Sequence, residues 1–158
     1  MMNLKPTSPM LWLRNHRGLA LALTIIAFLG FLDATYLTVE HIIGGTIPCS
    51  IFTGCEKVLN SKYSVIGGIP TAFFGVVYYT AIFLLALLSI TRDDKKYLLL
   101  ASKFTIVGLL ASIGFVYLQL VVIKAICTYC MLSALISLFL FVVGMIVMLK
   151  DRYFTSTK

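Results

Sequence analysis

Residues 127–149, CTYCMLSALISLFLFVVGMIVML, place two cysteines directly before a long apolar run. At about 1.5 Å per helical residue, this run can cross the roughly 30 Å hydrocarbon layer of a membrane. Positions i and i+3 of a helix share one face, and a helix N-terminus favours a thiolate. The stretch therefore predicts a spanning helix that begins with two thiols, Cys127 and Cys130, directed toward one site.

The composition of the whole chain is that of an integral membrane protein. Of its 158 residues, 60% are hydrophobic and only 12% are charged, and the mean hydropathy is +1.01. A soluble core of this size could not bury so much apolar surface, whereas spanning helices leave theirs against lipid. The net charge of +7 comes from basic residues at the membrane borders and not from a stripe interleaved with aromatics, which excludes nucleic acid as a partner.

Three further apolar runs complete a predicted bundle of four transmembrane helices. They cover about residues 19–39, 70–90 and 97–123, and the fourth helix runs from Cys127 to about Leu149. The first run exceeds a signal-peptide core of about 7 to 15 residues, so we expect it to remain uncleaved. The predicted fold class is an all-α membrane protein.

This bundle divides the chain into three segments. Residues 1–18 are expected to form a cytoplasmic or interfacial N-terminal segment, residues 19–149 the transmembrane domain, and residues 150–158 a cytoplasmic tail. The sequence has no internal repeat that would halve the domain.

The longest segment between the predicted spans covers residues 40–69 and contains the other two cysteines, Cys49 and Cys55. Residues at helical spacing predict a short, half-buried helix from Gly54 to about Tyr63. We expect this helix to lie across the end of the bundle like a lid, in a long extracytoplasmic loop between the first and second spans.

The basic residues are distributed unequally between the two ends of the bundle. One end holds Lys5, Arg14, Arg17, Arg92, Lys95, Lys96, Lys150, Arg152 and Lys158. The other end holds Lys57, Lys62 and Lys124. Because cytoplasmic loops are enriched in lysine and arginine, both termini are predicted to be cytoplasmic. We therefore expect a multi-pass protein whose four cysteines face outward, into a periplasm-like, extracellular or ER-lumen-like compartment where disulfides persist.

Two polar residues within the spans have both a structural and a functional interpretation. Asp33 lies in the first span, where an ionisable group suggests function. It is also less than two turns from the predicted end of that span, so interfacial hydrogen bonding is the favoured role. For Gln119, near the end of the third span, amide bonding to a neighbour and contact with a ligand both remain open.

Four cysteines at one end of a bundle can form a relay. Thiol exchange moves a disulfide when a thiolate of one pair attacks a sulfur of the other pair. Electrons would enter at Cys49 or Cys55, cross to Cys127 and leave from Cys130 to a small acceptor in the bundle. Cys130 lies one turn deeper, which suits reaction with a lipid-soluble quinone.

One alternative is a metal-binding protein, although a Cys-x5-Cys spacing is uncommon for zinc and no metal site is predicted. Another is a structural membrane protein with two static disulfides.

The ordered combination of these residues resembles the vitamin K epoxide reductase family, especially its small microbial members. The resemblance covers roughly residues 19–149, and it is carried by Cys49, Cys55, Ser61, residues 68–70, Gly75 and residues 127–130. The functionally analogous DsbB oxidases have the opposite order of cysteine pairs, so the chain is less similar to them.

The resemblance implies a quinone-linked thiol oxidoreductase that reoxidises a thioredoxin-like partner and so supports disulfide formation in exported proteins. Many relatives carry a fused thioredoxin-like domain. This sequence stops soon after the fourth span, so the expected partner is a separate DsbA-like protein. The expected acceptor is a quinone of the menaquinone, ubiquinone or vitamin K type.

The resemblance also assigns roles to individual residues. Cys49 would exchange with the partner, Cys55 with Cys127, and Cys130 would form the transient adduct with the quinone. The residues expected to contact the quinone are Val58, Leu59, Ser61, Tyr63, Thr71 and Phe74. Because Thr71 stands where vertebrate members have an asparagine, we expect reduction of a plain quinone and not of vitamin K epoxide.

Overall fold

The computed structural model describes residues 9–44 and 54–156 of the chain. Its main elements are four long helices: α1 (Pro9–Ile43), α3 (Thr71–Arg92), α4 (Lys95–Tyr117) and α5 (Thr128–Ser156). A π-helical segment, Leu118–Ile123, continues α4. By length and composition, four stretches can cross a membrane: Arg17–Ile43, Thr71–Arg92, Lys95–Ile123 and Thr128–Tyr153. The predicted fold class, a bundle of four transmembrane helices, is confirmed.

The outer helices extend beyond their apolar runs. α1 begins at Pro9 and not near residue 19, because proline is tolerated in the first turn of a helix, where its missing N–H leaves no bond unmade. It ends before Gly44, whose φ of +70° is readily adopted by glycine after a helix. α5 continues to Ser156, so most of the predicted tail is helical.

The turn between α3 and α4 contains only two residues. Asp93 adopts a left-handed conformation with φ 51°, which ends α3. The side chain of Asp94 then accepts a hydrogen bond from the backbone N–H of Lys96 at 2.9 Å and caps α4. The charged sequence of this turn therefore reverses the chain within a single tight connection.

Small residues allow the helices to approach closely. A Cβ built on Gly30 of α1 would lie 2.5–2.7 Å from ring atoms of Tyr79, and one on Gly75 of α3 would lie 3.3 Å from Ala34 Cβ. On α5, a Cβ at Gly144 would lie 2.6 Å from Thr105 Oγ1 of α4. Small residues have this role in membrane bundles because lipid offers no hydrophobic drive for helix association.

A short layer covers one end of the bundle. It begins with helix α2 (Cys55–Leu59), which is shorter than the predicted helix to Tyr63. Strands β1 (Val65–Ile66) and β2 (Ile69–Pro70) follow as an antiparallel hairpin that the sequence did not predict. Both residues of its turn are glycines with φ of +61° and +84°, as tight hairpins require. We call α2 and this hairpin, residues 55–70, the lid.

Candidate active site

Cys127 caps the N-terminus of α5. Its backbone carbonyl accepts a hydrogen bond from Met131 N at 3.0 Å, and its Sγ accepts one from Cys130 N at 3.4 Å. The sulfur thus takes the place that a serine or aspartate oxygen usually has at a helix N-terminus. The motif predicted to begin the helix instead places Cys127 just before it and Cys130 within its first turn.

This position changes the acidity of Cys127. A hydrogen bond from the Cys130 thiol lowers the pKa of Cys127, and this outweighs burial, which alone would raise it. Backbone N–H groups of Cys130 and Tyr129 lower the pKa further. The side chain is fully buried, and both Cys127 and Cys130 are free thiols. Cys127 is therefore the thiol of the motif that is poised to react as a thiolate.

The π-helical segment holds Cys127 from the opposite side. The side-chain oxygen of Gln119 accepts a hydrogen bond from Cys127 N at 2.9 Å, and its backbone carbonyl accepts one from Ala125 N at 3.1 Å. Lys124, with φ 53°, turns the chain directly before the residues that donate these two bonds. Gln119 is 3% exposed. Of the two roles that the sequence left open, the structure shows amide bonding to a neighbour.

Cys55 lies against Cys127 from the lid. Cys55 is 1% exposed, is disulfide-bonded, and belongs with Val58 and Cys127 to one buried cluster against which Cys130 also packs. Gly54 makes this approach possible, because a Cβ there would lie 2.7 Å from the carbonyl oxygen of Ile126. The structure thus brings together three of the four predicted cysteines, and Cys49 lies outside the described residues.

A cavity of about 320 Å³ lies between the lid and the four long helices. Cys130 is on its wall, and the six residues predicted to contact a quinone also line it: Val58, Leu59, Ser61, Tyr63, Thr71 and Phe74. Cys127 is not on this wall. The two cysteines of one motif therefore have different surroundings, with Cys127 beside the lid cysteine and Cys130 beside the cavity.

Two of the predicted contacts with a hydroxyl group, Ser61 and Thr71, use their hydroxyl protons elsewhere. Ser61 Oγ donates to the carbonyl of Val58 at 2.7 Å, and Thr71 Oγ1 donates to the carbonyl of Tyr63 at 3.0 Å. These bonds hold the lid together and fix it to the start of α3. Each hydroxyl can still accept a hydrogen bond from a ligand, but its own proton is already engaged.

Polar residues that the sequence analysis did not select form one wall of the cavity. The Tyr79 hydroxyl lies 2.9 Å from both the carbonyl oxygen and the Oγ of Ser133, and 3.0 Å from Ser137 Oγ. All three residues line the cavity. The sequence contained a signal for this polar wall. Cys130, Ser133 and Ser137 are spaced three and four residues apart and so share one helical face.

Asp33 of α1 contacts this polar wall through Ser133, although it is not itself among the residues that line the cavity. It forms a side-chain hydrogen bond with Ser133 of α5, while its Oδ2 atom is buried and has no hydrogen-bond partner among the described residues. Its charge also acts on both thiols of the motif. The hydrogen bond expected at the membrane interface is instead made across the bundle to a neighbouring helix.

Aromatic contacts fix the start of α5 against α1. The rings of Tyr36 and Tyr129 are tilted by 46° with centroids 5.2 Å apart. Tyr129 lies between the two cysteines in sequence, so this pair anchors the motif to a neighbouring helix. Within residues 9–44 and 54–156, no three histidine, cysteine, aspartate or glutamate side chains are arranged to hold a metal ion.

The sequence of the chain matches that of a known protein family. Residues 21–145 match the vitamin K epoxide reductase family over most of the length of the chain. The chain belongs to this family. The vitamin K epoxide reductase region includes all four cysteines and contains nearly the whole transmembrane bundle, so the protein is an integral membrane protein.

A curated relative extends the comparison. The chain is similar to the thiol-disulfide oxidoreductase LTO1 of Arabidopsis thaliana, with 31% identity over 122 residues. The aligned region is 70% of this chain and 31% of the plant protein. The chain therefore spans about a third of the length of this relative.

Proposed function

We propose that this protein is a membrane thiol–disulfide oxidoreductase that passes electrons from reduced thiols to a quinone. The observation that carries the proposal is that Cys127 and Cys130 have different surroundings. Cys127 packs with the disulfide-bonded Cys55, whereas Cys130 lines the cavity. A relay between a protein disulfide and a small acceptor needs this arrangement, because one pair of thiols must meet two different reactants.

The cysteine chemistry balances without any further reactant. The Cys127 thiolate attacks Cys55 and forms a mixed disulfide, and the other sulfur of the lid disulfide leaves as a thiolate. Cys130 then attacks Cys127, which releases Cys55 as a thiolate and leaves a Cys127–Cys130 disulfide. This sequence runs forward or backward according to the relative potentials. In the oxidative direction, a Cys127–Cys130 disulfide accepts two electrons from the reduced lid pair and becomes the dithiol again.

The number of cysteines supports one pairing for the lid cysteine Cys55. The chain has four, Cys127 and Cys130 are free, and Cys55 is disulfide-bonded. We propose that Cys49 is the partner of Cys55 and the residue that exchanges with the substrate thiol protein. That partner would be a thioredoxin-like, DsbA-like protein, as proposed from the sequence.

The cavity fits a quinone ring. Its volume of about 320 Å³ is within the range of roughly 300–1,000 Å³ typical of small-molecule sites, and apolar lid and helix residues dominate its lining. Val58, Leu59, Ser61 and Tyr63 of the lid would contact the ring from one side, and Thr71 and Phe74 would contact it from α3. When bound, a quinone would accept the two electrons and two protons that leave the dithiol. The menaquinone, ubiquinone and vitamin K types all share this chemistry.

The proposed topology puts the lid and all four cysteines outside the cytoplasm of a microbial plasma membrane, with both termini inside. The excess of lysine and arginine at the opposite end of the bundle supports this orientation. In that compartment the protein would support disulfide formation in exported proteins.

Purified protein tests the proposal. With a reduced thioredoxin-like protein and a soluble quinone, we expect quinone reduction coupled to one disulfide formed per quinol. Cys130→Ser should abolish quinone reduction while Cys127 can still form a mixed disulfide with Cys55. Full quinone reduction by Cys130→Ser would contradict the proposal.

A trapping experiment tests the point of entry. In Cys55→Ser, we expect a mixed disulfide between Cys49 and the thiol partner to accumulate, because the resolving cysteine is missing. The Cys49→Ser variant is the matched control and should trap nothing at that position. A partner linked through Cys127 would reverse the proposed order.

A further inference from the structure

Tyr78 carries a buried hydroxyl group that has no hydrogen-bond partner among the described residues. The residue lies on α3 and lines the cavity that also contains Cys130. Leaving a buried hydroxyl unpaired costs stability, so native structures seldom do so without a reason. A ligand in this cavity is the simplest partner for the group.

The bundle makes specific room for this hydroxyl. On α4, a Cβ added to Gly108 would collide with the Tyr78 oxygen, so only glycine leaves the space that the hydroxyl occupies. The Tyr78 ring is also held edge-on against Tyr79, with centroids 5.1 Å apart. The position of the phenol is thus fixed from two sides, as expected for a group that must meet a ligand in one geometry.

Several other hydroxyls on the cavity wall already have partners. Ser61, Ser64 and Thr71 each donate to a backbone carbonyl of the lid at 2.7 to 3.0 Å. The Tyr79 hydroxyl is shared between Ser133 and Ser137. Among the cavity-lining residues of the described chain, Tyr78 is the one with a buried oxygen that is unpaired.

We propose that Tyr78 donates a hydrogen bond to a ring oxygen of the quinone bound beside Cys130. This inference rests on the proposed function. Quinone oxygens are acceptors without protons of their own, so a donor such as a phenol O–H complements them. As the ring gains electrons, its oxygens become more negative and a fixed donor binds them more tightly, which favours reduction. Tyr78 is then a catalytic residue of the quinone step.

The experiment compares Tyr78→Phe with the native protein in quinone binding and in quinone reduction. Phenylalanine keeps the ring contact with Tyr79 and removes only the oxygen. We expect quinone to bind about tenfold more weakly, the loss of one hydrogen bond, and reduction to slow by about a hundredfold. The infrared carbonyl stretch of bound quinone should shift to higher frequency in the variant, because the hydrogen bond that weakens the carbonyl is gone.

Gly108→Ala and Gly114→Ala provide a matched pair on α4. The first displaces the Tyr78 hydroxyl and should weaken quinone binding, whereas the second adds a methyl group where nothing lies within 4 Å and should leave binding unchanged. A quinone analogue that lacks one ring oxygen separates direct contact from a change in cavity shape. Binding of the analogue that has lost the contacted oxygen should be equal in the native protein and Tyr78→Phe.

The possible failures can be told apart. If the native protein binds and reduces no quinone, the proposed function itself is wrong. If the native protein reduces quinone, Cys130→Ser does not, and Tyr78→Phe has native affinity, rate and carbonyl frequency, then the role of Tyr78 alone is wrong. Thermal unfolding of each variant in detergent identifies a variant that has merely lost its fold, and Gly108→Ala then supplies the independent measurement.

Discussion

The side-chain oxygen of Gln119 accepts a hydrogen bond from the backbone N–H of Cys127 at 2.9 Å, which links the end of the third span to the start of the fourth. The π-helical segment that contains Gln119 widens the helix at this point. Such segments are rare and occur often at functional sites. Here it allows one residue to hold Cys127 through its side chain and the preceding turn through its carbonyl.

Gln119→Leu should therefore lower stability and disturb the position of Cys127, although leucine is close to glutamine in size. Loss of the acceptor leaves a buried N–H unpaired, and we expect a destabilisation of about 1–3 kcal/mol together with slower exchange between Cys55 and Cys127. Unfolding in detergent and the rate of disulfide exchange measure the two effects. Leu120→Ala, at an exposed neighbouring position, is the control and should change neither. Native exchange in Gln119→Leu would show that the hydrogen bond has no positioning role.

Cys130→Ala should raise the pKa of Cys127. The hydrogen bond from the Cys130 thiol is the largest cause that lowers this pKa, and alanine removes it. The thiolate of Cys127 would then form only at higher pH, so its reactivity toward a small alkylating agent at neutral pH should fall. Thiolate absorbance against pH follows this change directly. An unchanged midpoint for Cys127 would contradict the assigned cause.

Asp33→Asn should change the pKa of Cys127 in the direction opposite to that expected for Cys130→Ala. The charge of Asp33 raises the pKa of Cys127, so its removal should lower that pKa and increase the thiolate fraction at a given pH. Asparagine keeps a side chain able to hydrogen-bond with Ser133. Alkylation rates measured across a range of pH report the shift. Asp93→Asn removes the same charge at the other end of the bundle and should leave Cys127 unaffected.

Gly30→Ala should destabilise the bundle. The added methyl group would meet the ring of Tyr79, which is 2% exposed and bonded to α5, so the ring cannot simply move aside. We expect a loss of about 1–3 kcal/mol from overpacking. Gly18→Ala in the same helix has nothing within 4 Å and should be neutral or slightly stabilising. Unfolding of the two variants in the same detergent makes the comparison, and equal stabilities would contradict the predicted clash.

Most of the fold could be predicted from local properties of the chain. The number of spans, their approximate limits and the placement of Cys127 and Cys130 at the start of the last helix follow from runs of apolar residues and from helical spacing. The early start of α1 and the lid hairpin could not be predicted in this way. A proline and a pair of glycines are each compatible with several local structures. Packing decides that the proline begins α1 and that the glycines form the turn of the lid hairpin.

The sequence predicted residues of the candidate site but not their arrangement in space. The hydropathy and the ordered cysteines determined that this is a four-helix membrane protein of the vitamin K epoxide reductase family, because those signals lie in neighbouring residues or in simple order along the chain. Only the tertiary structure decided that Cys127 packs in one cluster with Cys55 while Cys130 lines the cavity. It also decided that the Tyr78 hydroxyl, next to Gly108, is buried without a partner among the described residues. Those relationships join residues far apart in sequence, and the close packing of four helices fixes them.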